Sequence, residues 1–210
     1  MNDQAPREST RSAHRRLAVV RAAANLLRRR GIDTLTHRAV AEEAALPPQT
    51  VRAYLATREE LRCAALQYTL DGWVRRAEEF IERLPEPLTL NQTARAIVEV
   101  ATVHPVELAE TTRATIAGVY ERYIQSGRHP ELRPLITDYN RQLVGLVARV
   151  LSRYGRRVEP RIAQAMLAVV DGTVIYQLAA GEAPTPAAIN ALELAIPLLC
   201  PTSERHLEVT

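Results

Sequence analysis

A chain of 210 residues, 47% hydrophobic and 24% charged, can bury its own core and has the balance of a soluble globular protein, which excludes a disordered or fibrous one. Its two cysteines, Cys63 and Cys200, are too few and too isolated for a disulfide framework or a zinc site, and with no apolar leader this points to the cytoplasm. The formal charge of +3 is uneven: residues 1–62 hold 12 of the 27 arginines against 7 carboxylates and the rest hold 15 against 17, the asymmetry expected when only one end meets a polyanion.

Residues 1–12 are polar and lack periodicity, which predicts a flexible arm; Arg7, Arg11, Arg15 and Arg16 either reach phosphates or a minor groove or are simply solvated. Leu17, Val20, Ala24 and Leu27 recur at spacings of three and four and place an apolar stripe on a first helix ending at Gly31. Thr36 is a good N-cap for a short second helix with Val40, Ala41 and Ala44 facing inward, interrupted by Ala45-Leu46-Pro47-Pro48. A third short helix over about 47–55 keeps Val51 and Leu55 on its buried side and tolerates proline in its first turn, where the amide has no acceptor. Thr57-Arg58-Glu59-Glu60 has the form of a capping box in which Thr57 and Glu60 satisfy each other's amides, and it starts a long fourth helix to about Arg83.

Beyond Leu84-Pro85-Glu86-Pro87 the pattern predicts helices near 89–103, 106–126, 130–154, 159–180 and 185–199, with no strand-like alternation. The expected fold class is all-α. The longest apolar stretch, around Ala165 to Ala180, is broken by Asp171, Gly172 and Gln177 and is poorly suited to spanning a bilayer, so no membrane association is expected.

Two short helices joined by a tight turn, the second opening with small or polar residues, form a helix-turn-helix whose second helix enters a major groove about 12 Å wide. From Arg15 to Leu61 the chain resembles the DNA-binding domain of the TetR family in every helix. The matching residues are Ala22-Ala23 and Leu26-Leu27 before Gly31, then Leu35-Thr36, Val40-Ala41 and Ala44, then Thr50, Val51 and Tyr54-Leu55, and finally Thr57 to Leu61. The family usually has glycine in the turn, where this chain has Ala45, and an aromatic at the position of Arg52. Pro47 and Pro48 stand where the family often donates hydrogen bonds to phosphate.

The resemblance implies a flexible arm (1–12), a DNA-binding domain (13–60), an effector-binding and dimerisation domain (61–203) and a tail (204–210). It places Thr36 and Tyr54 on phosphates of double-stranded DNA, and Arg38 with the outer face of the third helix, Gln49, Thr50, Arg52 and Ala53, on bases; His37 lies beside them as a further phosphate contact. The chemistry agrees, since arginine can donate two hydrogen bonds to guanine, glutamine can pair with adenine and a threonine or alanine methyl can touch thymine.

The large side chains Trp73, Phe80, His104, Tyr120, Tyr123, Tyr139, Met166 and Tyr176 are scattered over helices otherwise built from small and aliphatic residues, and are either plain core or, as the resemblance implies, walls of a pocket for an unknown small-molecule effector. Thr111, Thr112 and Thr115 either add polar groups to it or solvate a helix. Ile162 to Leu178 and Ala187 to Leu199 are apolar on more than one face, and by resemblance the last two helices (about 159–199) form the four-helix interface of a homodimer.

The function implied is a ligand-released transcriptional repressor on a palindromic operator; the alternative is a DNA-binding dimer without an effector, an activator or nucleoid-type protein. An enzyme is not expected, since none of the five histidines has a glutamate three residues before it and there is no HExxH or Gly-rich phosphate loop. No cofactor or metal is expected either.

Overall fold

The computed structural model describes residues 5–102 and 112–201, the side chains of 5–11, 112–115 and 122 excepted. The regular elements among them are α1 (Ala5–Arg30), α2 (His37–Ala44), α3 (Pro48–Tyr54), α4 (Arg58–Arg83), α5 (Leu90–Thr102), α6 (Thr112–Ser126), α7 (Arg133–Arg153), α8 (Pro160–Ala180) and α9 (Pro184–Leu199), with 3-10 turns at Ile32–Thr34 and Pro130–Leu132. The described residues are all-α, as the sequence predicts. They fall into two compact units, Met1–Trp73 with Tyr120–Tyr139, and Val74–Val119 with Asn140–Thr210, so that α4, α6 and α7 each contribute to both.

In the first unit α1 is longer than the sequence predicts. The apolar stripe begins only at Leu17, so the polar turns before it carry no periodic signal, yet the helix starts at Ala5, inside the segment read as an arm. Leu17 itself is 38% exposed, and the packed face consists of Val20, Ala23, Ala24 and Leu27 with Val19 and Leu26 beside them. The helix stops at Gly31, whose φ of +83° disfavours a side chain and where a Cβ would lie 3.2 Å from Gln125 Oε1. It packs on α2 and α3, and the buried Leu35, Val40, Val51 and Leu55 close this small core. Burial of each such side chain contributes roughly 1.5–3 kcal/mol against leaving it in water.

α4 starts as its sequence suggests, with one difference. Thr57 Oγ1 accepts from the Glu60 amide at 3.0 Å, but Glu60 Oε2 reaches past Thr57 and accepts from the Ala56 amide at 2.6 Å. A reciprocal box does form before α5 in the second unit, where Thr89 Oγ1 accepts from the Gln92 amide at 3.2 Å and Gln92 Oε1 accepts from the Thr89 amide at 2.9 Å.

The second unit is built on α5, α8 and α9, which pack together over Ile97, Val100, Met166, Val170, Leu192 and Ile196. Arg153 at the end of α7 fixes the loop before α5: its Nη1 donates to the Leu84 carbonyl at 2.9 Å, and its own carbonyl accepts from the Leu88 amide at 2.9 Å. α7 begins at Arg133 and not at 130, because Pro130–Leu132 winds as a 3-10 turn. α8 is long and apolar enough to cross a bilayer by length and composition alone, with a mean hydropathy of 1.4, but a single such helix is weak evidence of a membrane span and does not overturn the sequence expectation. One face of α8 nevertheless packs on α5 and α9.

Candidate nucleic-acid interface and internal pocket

The turn between α2 and α3 has the geometry its departures from the family pattern demand. Thr36 Oγ1 accepts from the Ala39 amide at 3.1 Å and so caps α2, leaving its hydroxyl proton for another acceptor. α2 closes at Ala45, a non-glycine residue in the left-handed conformation with φ 51° and ψ 44°, and the Leu46 amide bonds back to the Ala41 carbonyl at 3.0 Å. The Cβ makes this conformation cost about 1 kcal/mol relative to glycine. Pro47 caps α3 and Pro48 is its first residue, so neither offers an amide at the end where anions usually bind.

Above the buried Val40, Ala41, Val51 and Leu55, this motif presents a polar outer surface. Arg38, Gln49, Arg52 and Ala53 are exposed, while Thr36, Thr50 and Tyr54 are half-buried. Arg38 Nε donates to Glu42 Oε1 at 3.0 Å, one turn along α2, with side chains 87% and 67% exposed, so water screens the pair and holds it only loosely. Tyr54 Oη accepts from Ser12 Oγ at 3.5 Å and retains a proton to donate. His37 differs from the others, because its Nε2 lies 2.9 Å from the Leu55 carbonyl and ties the start of α2 to the end of α3.

A polar cluster that no sequence spacing announces joins the Ile32–Thr34 turn to other parts of the first unit. Arg58 donates to the carbonyls of Leu35 and Asp33 at 3.4 and 3.3 Å. His129 sets Nε2 at 3.2 Å from Asp33 Oδ1 and Nδ1 at 3.6 Å from Glu131 Oε1, and Arg62 Nη1 donates to that same Glu131 oxygen at 3.0 Å. Glu131 is held below the usual carboxylate range, first by a hydrogen bond from its own backbone amide and then by Arg62 and His129. Burial, with Glu131 and Glu59 nearby, raises the Cys63 thiol, and burial also raises Cys200, so neither has the thiolate character of a reactive cysteine. The described residues hold no group of three or more His, Cys, Asp or Glu able to bind a metal ion.

The first unit also contains a pocket. α1 and α4 supply Leu27, Leu66, Thr69, Leu70 and Trp73, and Tyr123, Ser126 and Ile136 complete it. Its unfilled space, mouth included, is about 350 Å³, but the part wide enough for a water to sit is about 20 Å³. Of the large side chains singled out from sequence, Trp73 and Tyr123 line it, and Tyr139 packs on Trp73 with ring centroids 6.0 Å apart. Tyr120 is in the same unit without lining the pocket. Phe80 and Met166 belong to the second unit, and Met166 is fully buried core there. Tyr176 is 73% exposed and so walls no interior space. His104 and Thr111 lie outside the described residues, as do the side chains of Thr112 and Thr115. Half of the eight described lining residues are aliphatic, which a sequence does not distinguish from ordinary core.

In the second unit the outward surfaces of α8 and α9 are apolar. Tyr176, Leu194 and Leu198 are 73%, 73% and 79% exposed, and Ile175 is nearly half exposed. Several large apolar side chains left this exposed on two helices that pack together are a mark of an interaction surface.

Residues 88–198, just over half of the chain, match the family described as tetracyclin repressor-like, C-terminal domain. Among solved structures, the multidrug binding protein EbrR in complex with proflavin is 28% identical, with a TM-score of 0.65 over 87% of this chain and 99% of that one. A TetR family member from Streptomyces coelicolor A3, SCO1917, is 27% identical, with a TM-score of 0.61 over 87% and 98%. SCO7518 from Streptomyces coelicolor A3(2), at 21% identity and a TM-score of 0.67 over 90% and 99%, shares the fold. No curated protein matches the chain. The resemblance of the N-terminal helices and the match of the C-terminal domain agree, and the chain belongs to the TetR family of transcriptional regulators.

Proposed function

We propose that this regulator is a cytoplasmic repressor without enzymatic activity that binds a palindromic operator as a homodimer and leaves it when a small-molecule effector binds. Residues 13–60 carry the DNA-binding role, and 61–203 the effector and dimer roles. The observation that carries this reading is the outer surface of α2 and α3, where Arg38, Gln49, Arg52 and Ala53 stand exposed over an apolar core. Thr36 and Tyr54 at its edges each keep a hydroxyl proton for a phosphate oxygen.

Dimerisation is supported by the exposed Tyr176, Leu194 and Leu198 on α8 and α9, which a second copy would cover. Effector control is supported by EbrR, a multidrug binding protein solved with imidazole, proflavin and ethidium. α4 runs from the first unit into the second, so a ligand that binds one pose of α4 better than another shifts the reading helices.

Selection of bound DNA from a random pool tests this reading. The expected product is an inverted repeat whose half-sites lie about one helical turn, roughly 34–36 Å, or a multiple of it apart. Enrichment of a single unrepeated half-site, or of nothing, would contradict it.

A further inference from the structure

We propose that His129 is a positioning residue for DNA binding, a proton-dependent clasp between the turn that follows α6 and the turn that leads into α2. Both turns lie in the first unit, and each drives one aliphatic side chain fully into the core, Leu132 from the turn after α6 and Ile32 from the turn before α2. Beside these anchors the two turns meet through His129 and Asp33, with Nε2 3.2 Å from Oδ1. Gly31 closes on the same stretch of chain, since a Cβ there would stand 3.2 Å from Gln125 Oε1.

The proton dependence follows from what stands at each end of the ring. Nδ1 lies 3.6 Å from Glu131 Oε1, so both ring nitrogens face a carboxylate oxygen. An imidazolium donates from both nitrogens and satisfies both oxygens, whereas a neutral ring keeps one N–H and turns a lone pair on the other carboxylate. From α4, Arg62 Nη1 donates to Glu131 Oε1 at 3.0 Å, Arg58 donates to the carbonyls of Asp33 and Leu35, and Cys63, with Glu59 near it, donates from Sγ to the Glu131 carbonyl at 3.6 Å. Glu131 therefore keeps Arg62 when the ring loses its charge. The pair that crosses between the turns, His129 with Asp33, loses its cation.

Asp33 stands where holding it matters for α2. It comes three residues before Thr36, the N-cap of α2, and Arg58 grips the backbone on the way. α2 carries Arg38 and packs on α3, so a clasp closed on Asp33 fixes the start of α2 before DNA arrives and removes part of the ordering cost of binding. The effect is modest, because the Asp33 side chain is 75% exposed and water screens the pair; about threefold to fivefold is its scale. The consequence for DNA rests on the reading that α2 and α3 bind it; the clasp itself does not.

Hydrogen exchange followed by mass spectrometry on the full chain tests the clasp, at about pH 6 and about pH 8, with each rate divided by the intrinsic rate at that pH. Protection of residues 32–44, measured against α5 in the same chain, should be roughly threefold to fivefold greater at the lower pH. His129→Gln keeps a hydrogen-bonding side chain without a titrating proton and should erase that difference. Asp33→Asn, at an exposed position, should erase it too and decides the matter if the first variant does not fold. No difference in the unsubstituted chain overturns the proposal. So does a difference that survives either substitution, because it then arises at another group, such as His37 at the first residue of α2. Affinity for the selected operator relative to random DNA tests the positioning: that ratio should fall by about the same factor from the lower pH to the higher, and stay level in His129→Gln. A clasp that loosens while the ratio of the unsubstituted chain stays fixed overturns the positioning role. A chain that prefers no operator at all removes the DNA-binding reading instead, and hydrogen exchange still decides the clasp.

Discussion

His37 Nε2 lies 2.9 Å from the carbonyl oxygen of Leu55, so the first residue of α2 is bonded to the residue that closes α3. A carbonyl only accepts, so Nε2 carries a proton and donates it within the motif. His37 is thereby a strut of the helix-turn-helix, with Nε2 engaged and not offered to phosphate. His37→Phe is expected to cost about 1 kcal/mol in denaturant unfolding, the worth of one hydrogen bond. The salt dependence of DNA binding should keep its slope, whereas a phosphate contact would lower it by about 1. A reduced slope with unchanged stability would return His37 to the phosphate contacts.

Ala45 offers a gain in stability. Its φ of 51° is one that glycine adopts without penalty, and the residue is exposed, so Ala45→Gly disturbs no packing. The expected stabilisation is about 1 kcal/mol, or roughly 2–4 °C in melting temperature for a chain of this size. Calorimetry showing a lower melting temperature would mean that the turn owes its stability to something other than its backbone conformation.

Glu131 gives a pH dependence with a definite sign. Its folded pKa lies below its unfolded value, so the stability it contributes is present above the unfolded value and is lost as pH falls through the folded one. Glu131→Gln should therefore destabilise at pH 7, by about 1.5–3 kcal/mol, the worth of a hydrogen bond to a charged group, because the Arg62–Glu131 pair is part-buried at 15% and 22% exposure. The two proteins should converge as pH falls below the ordinary glutamate value of about 4.3 and on through the lower folded one. Urea titrations at several pH values would show this, and a difference that persists in acid would assign the effect to packing.

Leu198 tests the proposed dimer face. At 79% exposure it packs on little within one chain, and Leu198→Glu should leave the monomer folded while weakening dimerisation about 100-fold or more, because the charge would be buried against an apolar partner. Ile124→Glu, at another exposed apolar residue, is the control and should leave the dimer intact. Light scattering at micromolar concentration distinguishes them. An unchanged mass for Leu198→Glu would move the interface elsewhere.

The helix-turn-helix was legible because its signals are local: Thr36 caps α2, Pro47 and Pro48 begin α3, and Thr57 starts α4, each within a few residues of what it caps. The early start of α1 was not, since polar turns before Leu17 have no period to read. Tyr176 was misplaced because α8 is apolar almost all round, so no stripe says which face turns inward. The His129–Asp33 pair joins residues 96 apart, and nothing in either neighbourhood encodes the other. The pocket escaped for a different reason: a search for aromatics finds Trp73 and Tyr123 but not Leu27, Leu66 or Ile136, which look like any core residue.

The central claim is that α2 and α3 read DNA sequence and do not merely add positive charge, and Arg38 tests it most directly. The side chain is 87% exposed and held only by Glu42 on its own helix, so Arg38→Ala leaves the fold untouched. An arginine bidentate to guanine supplies about 1–3 kcal/mol of discrimination, whereas one on phosphate weakens all sequences alike and lowers the salt slope by about 1. Fluorescence anisotropy with the selected operator and with random DNA, over several salt concentrations, should show Arg38→Ala losing roughly 10-fold or more on the operator and little on random DNA. Equal losses on both DNAs, with a reduced salt slope, would contradict the claim and make Arg38 a phosphate contact.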